Sequence, residues 1–437
     1  MEEIKLKNIR DQIHELTEAY YNIKFSKKPF EPGINNVPVS GKVFDAEELK
    51  YIIDSSLDGW FTTGRFNKEF EKELAKYIGC RKVITVNSGS SANLLAFAAL
   101  TSEELGERAI KPGDEIISVA VSFPTTLNPA ISFGCIPVFV DIDIPTYNIN
   151  VELIEEAITP KTKAIIVAHT LGNPFNIESI QHIAKKHKLW IIEDCCDALG
   201  ATFNGKHVGT FGDIATLSFY PAHHITMGEG GAVFTNHTKL VTLLESIRDW
   251  GRDCWCETGC DNTCGKRFEW QLGGLPWGYD HKYIYSRIGY NLKITDMQAA
   301  LGLAQLQKLP KFVEQRRDNY AKLYNGLKKF QDKIILPEPT PNSNPSWFGF
   351  LITLKENAGI DRNTIVKKLS EAKIDTRLLF AGDIRKQPYF ERVTYRESGR
   401  LSNSEIVLYK TFWIGVTPMI GDKMIAHVIK TFDSIFS

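Results

Sequence analysis

The chain has 437 residues, 43% hydrophobic and 24% charged, enough apolar material to bury a large core. That length fits roughly two or three domains. Lys+Arg and Asp+Glu each total 52, so the formal net charge is zero and gives no electrostatic footprint for nucleic acid or an acidic membrane. No window approaches the ~18 continuous apolar residues of a membrane helix. The opening MEEIKLKNIRDQIHELTEAY is charged and amphipathic, not of signal-peptide type, and the chain reads as cytoplasmic.

An N-terminal helical segment is expected over 1–40, followed by a large domain over 41–295 that carries the polar motifs. From about residue 80, short β-rich runs alternate with amphipathic helical stretches: KVITV, SANLLAFAALTSEEL, EIISVAV, PVFVDI, AIIVAHT, IESIQHIAKKHK, LWIIED and IATLSFY. Runs that are apolar on both faces and separated by helices predict an α/β fold, a mostly parallel sheet with helices on both faces. Ligands of such sheets sit beyond the carboxyl ends of the strands. Further on, GYNLKITDMQAALGLAQLQKLPKFVEQRRDNYAKLYNGLKKF predicts a long helix broken at Pro310. PEPTPNSNPSW reads as a loop, and FGFLITL with RNTIVKKLSEAK predicts a smaller α/β domain within 296–437.

Three motifs follow predicted strands. In VNSGSSANLL a strand turns into a helix, whose free N–H groups attract an anion such as phosphate. Gly89 permits close approach, and Ser88, Ser90 and Ser91 add hydroxyls, although a plain helix cap uses the same residues. In LWIIEDCCDALG, Asp194 ends a buried strand, where a carboxylate needs a partner or a helix to cap. A protonated pyridine nitrogen is one such partner. In SFYPAHHITMGEGG, Ser218 offers a hydroxyl and His223 an imidazole, a residue type that is equally at home as a structural group.

Together these motifs resemble the DegT/DnrJ/EryC1 sugar aminotransferases, fold type I enzymes of the pyridoxal-phosphate type, from about residue 40 to the C-terminus. That family presents its lysine in Ser-Phe-x-Pro-x-Lys-x-x-Thr-x-Gly-Glu-Gly-Gly, and here His223 fills the lysine slot. Within the family, the branch most resembled is the CDP-4-keto-6-deoxyglucose 3-dehydrases of 3,6-dideoxyhexose biosynthesis. The resemblance implies that Asp194 pairs with the cofactor ring nitrogen and that Gly89, Ser90 and Ser218 hold its phosphate. Phe123, in VSFPTT, would stack on the ring, and Asp197 takes the place of a Gln or His near the ring hydroxyl. Asn291 resembles an asparagine that reaches the phosphate of a neighbouring subunit, which implies a homodimer.

Histidine has no primary amine with which to anchor an aldehyde, but imidazole is a general base near neutrality. The cofactor implied is therefore pyridoxamine 5′-phosphate (PMP), held without a covalent bond. Its amine would condense with a nucleotide-linked 4-keto-6-deoxy sugar, and His223 would take a proton from C4′ as the C3 hydroxyl leaves.

Eight cysteines include the adjacent Cys195 and Cys196 and four within GRDCWCETGCDNTCGK: Cys254, Cys256, Cys260 and Cys264. Clustered thiols in a reducing compartment bind metal or carry out redox chemistry. Spacing alone leaves zinc and an iron–sulfur cluster equally open. The resemblance implies a [2Fe–2S] cluster on Cys196, Cys254, Cys256 and Cys264, whose 57, one and seven intervening residues match the 3-dehydrase pattern. Cys195 and Cys260 are then spare, and Cys80 and Cys135 read as core thiols. With no G-x-G-x-x-G fingerprint, electrons would come from a separate flavin/iron–sulfur, NAD(P)H-dependent reductase. Two further readings stay open: a glutamate-using dehydratase without a cluster, similar to those acting on GDP-4-keto-6-deoxymannose, and a catalytically silent zinc-binding homologue.

Overall fold

The computed structural model describes residues 1–26, 29–256 and 258–437. Eight strands form the central sheet, in spatial order Lys82–Val86, Gly231–Thr235, Ile214–Ser218, Trp190–Asp194, Thr162–Ala168, Glu115–Val119, Ile136–Val140 and Arg396–Glu397. All neighbours are parallel except Gly231–Thr235, which runs antiparallel to both of its partners. The mixed α/β architecture with a mostly parallel sheet agrees with the sequence expectation.

The strands are apolar throughout because both of their faces are buried. Successive strand residues point to opposite sides. Ile117, Ile165 and Ile191 join one core, with Phe70, Leu74 and Phe312 from the covering helices Arg65–Ile78 and Asp296–Leu327. Ile116, Ile166 and Ile192 join the other, with Leu95 and Leu243 from the helices Gly89–Leu100 and Thr238–Arg248.

A second, antiparallel sheet orders Ile334–Ile335, Gly349–Leu354, Thr411–Gly415 and Thr376–Arg377. Its own core takes in Ile365 and Leu369 of the helix Arg362–Glu371 and Val428 and Phe432 of the helix Asp422–Phe436. The N-terminal helix Glu2–Lys24 buries none of its residues and is tied down in part through Arg10, 3.1 Å from Asp54.

The predicted break at Pro310 does not occur. One helix runs from Asp296 to Leu327, begun by a capping box between Thr295 and Gln298. An interior proline costs about 3 kcal/mol in an isolated helix. Leu306, Leu309, Phe312 and Val313, which flank Pro310, are all buried, and that packing outweighs the local penalty. Among the described residues no helix is long and apolar enough to cross a membrane.

Candidate active site

Sheet register brings the three sequence motifs to one edge. Val86 and Ser218 both pair with Gly231, while Asp194 pairs with Thr216 on the strand that ends at Ser218. A cavity of about 630 Å³ opens there. Gly89, Ser90, Phe123, Asp194, Cys196, Asp197, Ser218 and His223 all line it, and the second sheet contributes Arg377 and Trp413.

At one end of the cavity the helix Gly89–Leu100 begins. Ser88 is its cap and accepts from the Ser91 N–H at 3.0 Å, so these two serines are engaged with the helix itself. Ser90 Oγ donates to Thr125 Oγ1 at 3.0 Å. A Cβ on Gly89 would lie 2.5 Å from Ser218 Cβ and 3.1 Å from Cys196 Sγ, so only glycine lets these three segments meet. Gly231, the last glycine of GEGG, is equally constrained, with Ser88 O 2.4 Å from its hypothetical Cβ.

No helix follows Asp194, so its carboxylate is not a cap. Its Oδ2 accepts from Asn93 Nδ2 at 2.9 Å and Thr126 Oγ1 at 2.7 Å, and its Oδ1 accepts from the Cys196 N–H at 3.1 Å. Thr216 Oγ1 donates to Asn93 Oδ1 at 2.7 Å and fixes which way that amide faces. Two carboxylate oxygens offer about four acceptor directions. Three are filled by protein, which leaves Oδ1 room for one donor from the cavity.

The two histidines of SFYPAHH part company. His223 lines the cavity, with Nδ1 3.2 Å from Asp197 Oδ1, within ion-pair range though outside hydrogen-bond geometry. His224 points into the protein, its Nε2 donating to the Ser346 carbonyl at 2.9 Å. Burial, reinforced by the Arg316 guanidinium, holds His224 neutral, well below the usual histidine range. Arg316 is itself buried, and it donates to the carbonyls of Trp347, Phe348 and His223 at 3.2, 3.3 and 3.5 Å. Burial pushes its guanidinium down to about 10 against the opposing pull of Asp197. Among the residues lining the cavity there is no lysine.

The model of the DegT/DnrJ/EryC1/StrS aminotransferase family matches residues 42–433. The chain belongs to this family. It is 60% identical to the lipopolysaccharide biosynthesis protein RfbH of Salmonella typhimurium, over 98% of each chain. It is 50% identical to the dTDP-4-dehydro-2,6-dideoxy-D-glucose 3-dehydratase of Saccharopolyspora spinosa, covering 94% of this chain and 89% of that one. Among solved structures it is similar to the E. coli GDP-4-keto-6-deoxy-D-mannose-3-dehydratase with bound hydrated PLP. There the TM-score is 0.81 at 31% identity, covering 91% of this chain and 99% of that one.

A DegT-type cofactor suits the residues present. The N-terminus of Gly89–Leu100, the Ser218 hydroxyl and the space kept by Gly89 offer donors and room that could hold an anion. Asp194 keeps one open acceptor direction across the same cavity, and Phe123, half exposed, supplies an aromatic face. Asn291 is exposed and outside the cavity, and its backbone bridges to Asp249.

The cysteines divide into two places. Cys196 lies in the cavity, and burial beside Asp194 drives its thiol well above the ordinary range. Cys254, Cys256 and Cys264 lie on the loop that follows the helix Thr238–Arg248. There Cys254 Sγ accepts from the Cys256 N–H at 3.4 Å and Thr263 Oγ1 donates to Cys256 Sγ at 3.0 Å. No three of the four thiols lie within 4.8 Å of one another. Among the described residues, the one group of three metal-competent atoms within 4.8 Å of each other is His169, Glu193 and Cys195. That group is structural: His169 Nδ1 accepts from the Phe175 N–H, so its Nε2 carries the proton toward Glu193 Oε2 at 3.1 Å. Glu193 also accepts the N–H groups of Gly209, Phe211 and Gly212. Cys80 and Cys135 behave as core thiols, raised by burial to about 11 and about 12.

Sequence reading missed Arg377 and Trp413, which reach the site from the second sheet, and Phe348, which precedes one of its strands; none carries a local motif. Tyr220 also lines the cavity and was open to notice, since it lies within SFYPAHH.

Proposed function

We propose that this chain is a PMP-dependent 3-dehydrase acting on a nucleotide-linked 4-keto-6-deoxy sugar, with CDP-4-keto-6-deoxyglucose as the substrate. The observation that carries the reading is His223 in the cavity, beside Asp197, where the family has a lysine and where no lysine stands. When bound, PMP supplies an amine that condenses with a keto group and a ring that withdraws electrons. Gly89, Ser90 and Ser218 hold its phosphate, Asp194 keeps the ring nitrogen protonated and Phe123 covers the ring. Asp197 faces His223 Nδ1, which leaves Nε2 to take a proton at C4′ and stabilises the imidazolium that results. Arg316 fixes the His223 carbonyl and so the placement of the ring.

The reading extends to a [2Fe–2S] cluster on Cys196, Cys254, Cys256 and Cys264, fed by a separate reductase, and to a homodimer in which Asn291 reaches the partner's cofactor phosphate. The match of the cysteine spacing to the 3-dehydrase pattern supports the cluster, and so does the position of Cys196 in the cofactor cavity, where an electron relay is needed. The second reading, a glutamate-using dehydratase without a cluster, is favoured by the likeness to the E. coli enzyme.

PMP deuterated at C4′ tests the central role. With the keto sugar present, the protein should release one deuterium to solvent, and His223→Asn should retain it. Release at an unchanged rate from His223→Asn would remove His223 as the base.

A further inference from the structure

We infer that Arg377 is the seat for the diphosphate of a nucleotide-linked substrate, an assignment that rests on the nucleotide-sugar reading above and deepens it. Arg377 is the one arginine or lysine that lines the cavity, against three carboxylates, Asp194, Asp197 and Glu229. Asp194 and Asp197 are engaged with the cavity floor and with His223. Among the described residues no carboxylate pairs with Arg377; its recorded hydrogen bond runs from Nη1 to the neighbouring Thr376 carbonyl at 2.8 Å. An arginine left unpaired in an acidic cavity has its remaining N–H donors free for an anion, and its planar fork matches phosphate oxygens.

Its place fits the shape of the ligand. Phe348 lies 5.2 Å, centroid to centroid, from His223, and Trp413 lies 5.6 Å from Phe348. Arg377 pairs with Trp413 across the strands of the second sheet. The arginine is therefore two rings removed from the base, with an apolar wall between them. A hexose with its reacting carbon at His223 would carry the phosphate on its anomeric carbon along that wall to the guanidinium. The anion seat at Gly89 and Ser218 is built on the other sheet and is separate, so the cavity has one position for a cofactor phosphate and one for a substrate phosphate. Residue 377 thus anchors the part of the substrate that does not react, whichever base it carries.

Calorimetric titration of the full chain, loaded with pyridoxal 5′-phosphate, tests the assignment. CDP, dTDP, GDP and pyrophosphate serve as separate probes, and cofactor absorbance reports that each variant is folded and loaded. Loss of a charge-assisted pair predicts that Arg377→Gln weakens nucleoside diphosphate binding about tenfold to a hundredfold, while Arg377→Lys keeps part of it. Cofactor loading should be unchanged in both. Binding by Arg377→Gln within twofold of the parent would overturn the role of Arg377 and leave the nucleotide-sugar reading standing. Failure of the loaded parent protein to bind any nucleoside diphosphate would overturn both. Pyrophosphate binding as tightly as the nucleotides would overturn the assignment to a nucleotide-linked ligand.

Discussion

The cavity floor and the cysteine loop hold their polar groups by opposite means. Asp194 ends a buried strand, and three donors from three different segments fix its carboxylate before any ligand arrives. Its neighbour Glu193 is fully buried and secured by His169 and three backbone N–H groups. The loop from Cys254 to Tyr285 contains among its described residues one short helical turn, His281–Tyr283, and leaves Trp255, Phe268, Trp277 and Tyr285 exposed. There Cys254 Sγ accepts from the Cys256 N–H, and Cys256 Sγ accepts from the Thr263 hydroxyl. A site assembled from strand ends is preorganised by the core, whereas the loop thiols rest on contacts within the loop itself.

His223→Asn should lower dehydration by about a thousandfold, as loss of a general base does, with cofactor affinity little changed. Steady-state rates and a cofactor titration decide it, and a variant of near-normal rate would place the base elsewhere. Glu193→Ala removes the acceptor of four buried donors and should lower stability by about 3 kcal/mol in urea unfolding. A shift below about 1 kcal/mol would mean that the floor is less rigidly held than its hydrogen bonds indicate.

Cys256→Ser, in the loop, should change the stability of metal-free protein by less than about 0.5 kcal/mol. It should still abolish iron retention and reductive turnover while leaving C3 dehydration measurable. Normal deoxy-sugar output from that variant would take Cys256 out of the ligand set. The smallest effect concerns titration. Burial opposes ionisation of Cys256, but hydrogen bonds led by Thr263 outweigh it and hold this thiol below the usual range. Burial raises Cys254. As pH rises, Cys256 therefore becomes a thiolate first, and iodoacetamide should label it ahead of Cys254 in metal-free protein. Thr263→Val should narrow that lead a few-fold, and equal labelling of the two thiols in the parent protein would contradict the assigned bonds.

What the sequence shows follows the same division. The strands of the sheet are legible because burial on both faces leaves an unbroken apolar run, as in LWIIED. The cavity floor is legible because its motifs sit directly after those runs. Arg377, Phe348 and Trp413 are not, since they join the cavity of His223 from more than a hundred residues along the chain and obey no local spacing. Pro310 misleads in the other direction: the local rule breaks a helix that tertiary packing keeps whole. The strand Gly231–Thr235 returns antiparallel after the SFYPAHHITMGEGG loop with no intervening helix, so the βα alternation gives no hint of it.

Whether the loop thiols acquire a cluster beside the cavity separates the two dehydratase readings. An absorption spectrum of anaerobically purified protein, with iron and sulfide assays on the same sample, tests this directly. Broad visible bands with about two iron and two sulfide per chain are predicted, as a [2Fe–2S] centre requires. A colourless, iron-free protein that still removes the C3 hydroxyl with glutamate would contradict the account and favour the cluster-free dehydratase.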